Sequence, residues 1–205
     1  PQLRAFSDEL GTLIDKLTSF LEWVPWWVLI IFVGLLAYKS GKWKMAAGTV
    51  LGLLLIYNLN LWDHMIATFV LVIIASLISI VIGLPIGIWT ARNATVHRIV
   101  SPVLDLMQTM PAFVYLVPVL ILFNIGVVPA VFSTVVFAMP PVIRLTRLGI
   151  QQVSEDLIEA AQSFGATNKQ LLWKVQIPLA MQTIKAGVNQ TVMMSLSMVV
   201  VAAMI

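Results

Sequence analysis

The sequence contains no cysteine and few charged residues. Only 10% of its 205 residues are Asp, Glu, Lys or Arg, and it has two histidines. The missing cysteine excludes disulfides, thiolate chemistry and Cys-ligated zinc. A soluble domain is about one quarter charged, whereas this chain is 60% hydrophobic with a mean hydropathy of +0.99. We therefore predict an all-α integral membrane protein.

Six apolar segments are candidate membrane spans. They cover residues 23–38, 45–62, 65–91, 111–124 and 127–143, and a last segment from about 183 to the end. The third would be about 40 Å long as a helix, longer than the ~30 Å hydrocarbon core. We expect it to tilt, protrude or bend near Gly83, Pro85 and Gly87. A short helix from Pro102, capped by Ser101, is expected to precede the fourth segment.

The basic residues predict the orientation of these spans. They occur in the connections after the first, third and fifth segments, as Lys39, Lys42, Lys44, Arg92, Arg98, Arg144, Arg147, Lys169 and Lys174. The connections at Asp63-His64 and at residues 124–126 contain no Lys or Arg. By the positive-inside rule, the odd connections are cytoplasmic and the N-terminus is outside. Since His64 and His97 then lie on opposite sides, they cannot share a metal ion.

The N-terminal third is predicted to differ from the remainder. Residues 1–22 repeat apolar positions at helical spacing, which favours an amphipathic helix on the outer membrane face or, equally, a helix packed on other protein. Residues 23–62 are predicted to form two accessory transmembrane helices. The sequence begins at Pro1 and stops at Ile205 inside an apolar run, so we expect the natural chain to continue.

A polar stretch at residues 154–178 is predicted to form a cytoplasmic helical hairpin. Ser154 is a candidate N-cap, and Gly165 is a candidate left-handed helix terminator. Thr167 and Gln170 have the spacing of a capping box, and Pro178 is expected to end the second helix. Its small residues either allow close approach by another protein or pack within an ordinary surface loop.

This hairpin resembles the EAA motif of ABC importer permeases. Glu159, Ala160 and Ala161 are followed after three residues by Gly165, and after nine more by the segment Val175, Gln176, Ile177 and Pro178. The motif has Ile where this chain has Val175 and Leu where it has Ile177. The resemblance implies a coupling helix that docks in a cleft on a cytoplasmic ATPase subunit.

Three further segments resemble permeases of quaternary-amine importers. They are DLMQTMPAFVYLVP (105–118), MPPVIRLTRLGIQQV (139–153) and GVNQTVMMSLSMVVVAAMI (187–205). The resemblance covers residues 65–205 and implies a type I ABC importer (MetI-like) permease core. It further implies ATP-driven import of glycine betaine, proline betaine, carnitine or choline across a bacterial or archaeal cytoplasmic membrane.

No G-x-x-x-x-G-K-[ST] phosphate loop occurs in these 205 residues. If the chain belongs to an ATP-driven system, we therefore expect the ATPase to be another polypeptide. The resemblance implies two ATPase subunits carrying ATP and Mg, and a second copy of the permease. It also implies a solute-binding protein outside, or a fused binding domain. The chain itself is expected to be a transport subunit in the lipid membrane, without cofactor, catalytic residues or nucleic-acid partner. Alternating access would couple the ATPases to the pore.

Candidate pore residues lie on two segments. Asn189 and Gln190 either line a polar path or form interhelical hydrogen bonds. Phe113 and Tyr115 follow a predicted bend at Met110-Pro111. Their rings either pack against other helices, the commoner role, or bind a trimethylammonium group by cation–π attraction. Asp105 is expected to interact with the dipole of the helix beginning at Pro102.

Two other functions remain open at this point. An ABC permease for another small nutrient, such as methionine, would have the same coupling hairpin. An osmotic channel without a motor is disfavoured, because a channel has no evident use for an ATPase-docking element.

Overall fold

The computed structural model describes residues 2–123 and 126–202, and all regular structure within them is helical. Residues 124–125 of one predicted external connection, and 203–205 of the last span, lie outside this description. Two compact units, Pro1–Leu71 and Val72–Ile205, divide the chain within its third helix. The helices are α1 (Gln2–Trp23), α2 (Trp26–Asn58), α3 (Trp62–Arg92), α4 (Ala94–Thr109), α5 (Ala112–Phe123), α6 (Val127–Gln151), α7 (Glu155–Ser163), α8 (Asn168–Gln170), a π-helix (Leu171–Gln176) and α9 (Ile177–Ala202).

In the first unit, α2 folds back on itself as a helical hairpin. Gly41 and Lys42 leave helical geometry, with φ/ψ of −139°/20° and 62°/−169°. The rings of Trp26 and Tyr57 stack with centroids 4.4 Å apart. A Cβ placed on Gly34 would lie 2.9 Å from a Val50 methyl group. In each pair, one residue precedes the break at Gly41-Lys42 and the other follows it at a similar distance along the chain. The two halves of α2 therefore run antiparallel, as the separate segments 23–38 and 45–62 predict.

The lengths of the helices determine which of them are candidate membrane spans. Three helices, α3, α6 and the continuous stretch Asn168–Ala202, are long and apolar enough to cross a membrane, with up to five spans if each bent pair counts as one. Each half of α2 has about 16 residues and is ~24 Å long, shorter than the ~30 Å core. Six spans and an external N-terminus therefore stay predictions, as does the outer-surface position of α1.

The part of α3 that contains Gly83, Pro85 and Gly87 packs against α6. The helix runs without a break through Gly83, Pro85 and Gly87. A Cβ on Gly87 would lie 2.7 Å from Thr146 Cβ and 2.9 Å from the Ile143 carbonyl oxygen of α6. Gly83 and Gly87 thus let the α3 backbone approach α6 closely. This is the usual role of small residues between membrane helices.

The helix before the fourth apolar segment begins earlier than expected. Asn93, not Ser101, caps α4: its Oδ1 accepts hydrogen bonds from the Thr95 and Val96 amides at 2.9 and 3.2 Å. Pro102 lies inside the helix. The predicted bend at Met110-Pro111 is present, with Met110 extended at ψ 136° and about 95° between the α4 and α5 axes. A residue before proline avoids helical ψ, which accounts for the corner.

The core of the second unit lies between α6 and α9. Both helices are longer than expected: α6 continues past residue 143 to Gln151, and α9 begins at Ile177, not near residue 183. A Cβ on Gly149 would lie 3.0 Å from Thr183 Cβ, and one on Gly187 would lie 3.0 Å from Leu145 Cβ. The contact is therefore made by small residues at close range, and it fixes the two helices that hold the polar hairpin.

Candidate functional site

The first helix of the hairpin, α7, starts directly after Ser154 and has Glu155 and Asp156 in its first turn. These carboxylates are favourable at the positive end of the helix dipole. The Ser154 side chain, however, makes no capping hydrogen bond. The sequence therefore predicts the start of the helix correctly but is wrong about the role of the hydroxyl.

Gly165 ends α7 in the predicted left-handed conformation, with φ +82°. Its N–H donates to the Gln162 carbonyl at 2.8 Å, and the Ala166 N–H donates to the Ala161 carbonyl at 3.1 Å. This pair of bonds is the Schellman motif. A Cβ on Gly165 would meet nothing within 4 Å, so the requirement for glycine here is conformational and does not arise from lack of space.

The predicted capping box at Thr167 is confirmed. The Gln170 N–H donates to Thr167 Oγ1 at 3.4 Å, and the Thr167 N–H donates to Gln170 Oε1 at 2.9 Å. The turn between Gly165 and Thr167 is thus held by a terminating motif on one side and a starting motif on the other. Leu171 and Leu172, just after the turn, are buried. They attach the second helix of the hairpin to the helical core of the second unit.

Pro178 does not end the second helix, contrary to expectation. α8 continues through the π-helix Leu171–Gln176 into α9, and Asn168–Ala202 is one helical stretch. The Ile177 N–H bonds to the Leu172 carbonyl, five residues back. A proline in an α-helix lacks a donor and crowds the carbonyl four residues before it. The wider π register just before Pro178 accommodates that carbonyl, so the helix continues.

The remaining residues of the resembling motif lie mainly on the surface. No residue of α7 is buried: Glu159 and Ala160 are exposed and Ala161 is half-buried. Val175 and Ile177 are half-buried and Pro178 is exposed. Phe164 is 93% exposed and Leu157 is 47% exposed. The hairpin therefore exposes small, apolar and acidic side chains that the described part of its own chain does not cover.

The candidate pore residues form two groups. Met110, Pro111, Phe113 and Tyr115 lie at the α4–α5 corner. The Tyr115 hydroxyl donates to the Met107 carbonyl at 2.6 Å, which ties α5 to the end of α4, while Phe113 is 53% exposed. Asn189 and Gln190 are exposed on α9.

One feature of the second unit could not be inferred from sequence. Asp105 lies in the middle of α4, not in its first turn, and forms an ion pair with Arg144 of α6. The two residues are 39 positions apart, and only their opposite charges indicate that they could pair. No three His, Asp or Glu side chains within the described ranges are arranged to hold a metal ion.

These features define a multi-pass membrane subunit with a capped polar hairpin between two long, closely packed helices. Residues 83–205 match the family described as "Binding-protein-dependent transport system inner membrane component". The chain belongs to this family, which confirms the predicted ABC importer permease class and its location in the cell membrane.

The chain is similar to three permeases whose names state the solute that they transport. It is 50% identical over 200 residues to the glycine betaine/carnitine transport permease protein GbuB of Listeria monocytogenes, covering 96% of this chain and 71% of the relative. It is 53% identical over 196 residues to the glycine betaine transport system permease protein OpuAB of Bacillus subtilis, covering 96% and 70%. It is 51% identical over 193 residues to the glycine betaine/proline betaine transport system permease protein ProW of Escherichia coli, covering 94% and 54%.

The two candidate caps of the hairpin make a matched pair for mutation. Thr167→Ala removes an observed capping bond and should cost about 1 kcal/mol, lowering the protection of the Gln170 amide roughly fivefold. Ser154→Ala removes a hydroxyl that makes no capping bond and should change amide protection in α7 by less than about twofold. Hydrogen–deuterium exchange of the permease in nanodiscs measures both. Equal loss in the two variants would contradict the assignment of the caps.

Proposed function

We propose that this chain is the pore-forming permease subunit of an ATP-driven importer of glycine betaine or a closely related quaternary amine. The observation that carries the proposal is its identity of 50–53%, over 94% or more of its length, to three permeases named for glycine betaine transport. Similarity of this extent includes the hairpin and the helices on both sides of it.

The hairpin is proposed to be the contact with the ATPase. A docking helix must be exposed, must let another backbone approach closely, and must keep its shape under load. α7 has no buried residue, and Ala160 and Ala161 lie at its centre. Gly165 ends α7, and the Thr167–Gln170 capping box starts the next helix only two residues later. The chain therefore reverses in a turn whose backbone is hydrogen-bonded on both sides. We assign Glu159, Ala160, Ala161 and Gly165 to the docking surface, and Val175, Ile177 and Pro178 to the arm that supports it.

The arm supplies a route from the ATPase to the pore. Asn168–Ala202 is one continuous helical stretch of 35 residues, about 52 Å long at 1.5 Å per residue. A displacement of the hairpin would therefore be transmitted along α9 as the movement of a rod. In the proposed cycle, two ATPase subunits close around ATP and Mg, move the hairpins and open the path outward; hydrolysis returns it to the inward state.

The exposed face of α9 supports a second copy of the permease as a partner. Six of its exposed positions recur at alternating spacings of four and three, at Gln182, Ala186, Asn189, Met193, Leu196 and Val200. This spacing keeps one line of side chains facing a neighbouring helix. An amide such as Asn189 in apolar surroundings is best satisfied by another polar group. We propose that this face meets its counterpart in the second copy, with Asn189 and Gln190 forming the polar part of the path.

The function is tested by transport in liposomes. The full-length permease is reconstituted with its ATPase, with the solute-binding component outside and ATP inside. We expect ATP-dependent uptake of radiolabelled glycine betaine that exceeds uptake of methionine. Preferential ATP-dependent uptake of methionine would support the proposed coupling to the ATPase and reject glycine betaine as the substrate. Flux that does not depend on ATP would reject both.

Gly165→Leu tests the coupling role of the hairpin. Leucine at φ +82° costs on the order of 1–3 kcal/mol of strain, which should distort the end of α7, abolish uptake and reduce co-purification of the ATPase. Gly165→Asn is the matched control, because asparagine tolerates the left-handed conformation, and it should retain most of the uptake. Membrane insertion of both variants is verified by fractionation. Normal uptake with Gly165→Leu would reject the coupling assignment.

A cysteine cross-link tests the α9 face. Because these 205 residues contain no cysteine, Asn189→Cys introduces a single thiol at an exposed position. In the assembled transporter we expect a bifunctional maleimide to join two copies into a covalent dimer. Ser195→Cys is the control, since Ser195 is fully buried within its own chain and should give no dimer. Equal cross-linking at both positions would argue against a specific face.

A further inference from the structure

A cavity that is distinct from the hairpin and from the α9 face lies between the end of α3, α4 and the end of α6. It has a volume of about 370 Å³. Its polar lining consists of Thr90, His97, Ser101, Arg144 and Arg147, and three apolar side chains complete it. The volume is that of roughly ten water molecules, so a small anionic group fits with room for ordered water.

The two arginines of the cavity differ in their partners. Arg144 is paired with Asp105. Among the residues that the structure describes, no carboxylate forms an ion pair with Arg147. The Arg147 Nε is buried and has no hydrogen-bond partner. A buried, unsatisfied donor on a charged group is costly, and such groups in folded proteins are usually satisfied by a ligand, an ion or a bound water.

The other polar groups complete a set of donors. Ser101 and His97 lie four residues apart on α4, so both side chains fall on one face of that helix. The Thr90 hydroxyl already donates to the Gly87 carbonyl at 2.9 Å. Arg147 therefore supplies the main charge, with Ser101 and His97 as additional donors. A guanidinium with nearby hydroxyl and imidazole donors suits a tetrahedral oxyanion, because its planar N–H groups bind phosphate oxygens in pairs.

We propose that this cavity binds a phosphate group, from either the head group of an anionic phospholipid or free phosphate. α3 and α6 are both long enough to span the membrane, and the cavity lies where each nears its end. Basic pockets between helices at the cytoplasmic surface are typical sites for phospholipid head groups. Leu148 lines the cavity and is 43% exposed, which gives an acyl chain an apolar surface to follow. The bound group would bridge α4 and α6 beside the Asp105–Arg144 pair.

The test uses Arg147→Gln, with Arg92→Gln as a control that removes the same charge from an exposed residue at the end of α3. The purified full-length permease is titrated with phosphatidylglycerol or phosphatidylcholine and its bound lipid counted by native mass spectrometry. In parallel, delipidated protein is equilibrated with radiolabelled inorganic phosphate. We expect wild-type protein to bind one of these probes saturably, Arg147→Gln to bind it roughly tenfold more weakly, and Arg92→Gln to bind it as wild type does.

The two probes separate the sources of the phosphate. Preference for phosphatidylglycerol over phosphatidylcholine that depends on Arg147 identifies a lipid site; saturable binding of inorganic phosphate that depends on Arg147 identifies a site for free phosphate. If Arg147→Gln does not fold, Ser101→Asp decides, because its carboxylate would pair with Arg147 and exclude an anion. Binding of both probes that neither cavity substitution changes would overturn the proposal.

Discussion

The close approach of α6 to its neighbours is the constraint on which the second unit depends. Lipid is as apolar as a leucine side chain, so membrane helices gain little from hydrophobic burial against each other and associate mainly by van der Waals contact and hydrogen bonds. Here glycine stands at the contacts: Gly87 of α3 against Thr146, Gly149 of α6 against Thr183, and Gly187 of α9 against Leu145. Ser79 of α3 adds a hydrogen bond to the Val135 carbonyl of α6 at 3.3 Å. Larger side chains at these glycines would separate the helices and lose the contacts.

This packing gives a rigid base to the polar hairpin, which we propose to be a lever. Its two ends are α6 and α9, which are fixed against each other, so a force on α7 cannot be absorbed by relative slippage at the membrane. The turn is closed by the Schellman bonds of Gly165 and by the Thr167 capping box, and Leu171 and Leu172 bury the start of the arm. The π-helix before Pro178 keeps the arm continuous with α9. Each of these devices removes a possible hinge between the exposed surface of α7 and the membrane.

The sequence is sufficient where a residue's role is decided by its own backbone or by neighbours within one helical turn. Gly165 and the Thr167–Gln170 pair belong to this class, because a left-handed terminator and a capping box are local geometries. Inference from the sequence fails where a residue's role is decided by a distant contact or by the register of the helix around it. Ser101 resembles a cap, but the chain is already helical from Ala94 because Asn93 supplies the cap. Pro178 looks like a stop only if the preceding turn is α-helical. Asp105 has its partner 39 residues away, and no local pattern indicates the pair.

The exposed face of α7 and the cavity at Arg147 both lack a partner among the described residues, and they differ in what they require. The exposed face of α7 mixes carboxylates with small and apolar side chains. What it lacks is contact area, which the proposed ATPase partner would supply by shape. Arg147 is a cation with a buried donor, so what it lacks is a specific oxyanion at hydrogen-bonding distance, and the cost falls on one atom. Shape complementarity is expected to tolerate conservative changes on α7, whereas the two departures from the family's motif, Val175 and Ile177, lie on the arm that follows it. A charge-assisted pair at Arg147 would not tolerate loss of its guanidinium, since the other arginine of the cavity, Arg144, is already paired with Asp105.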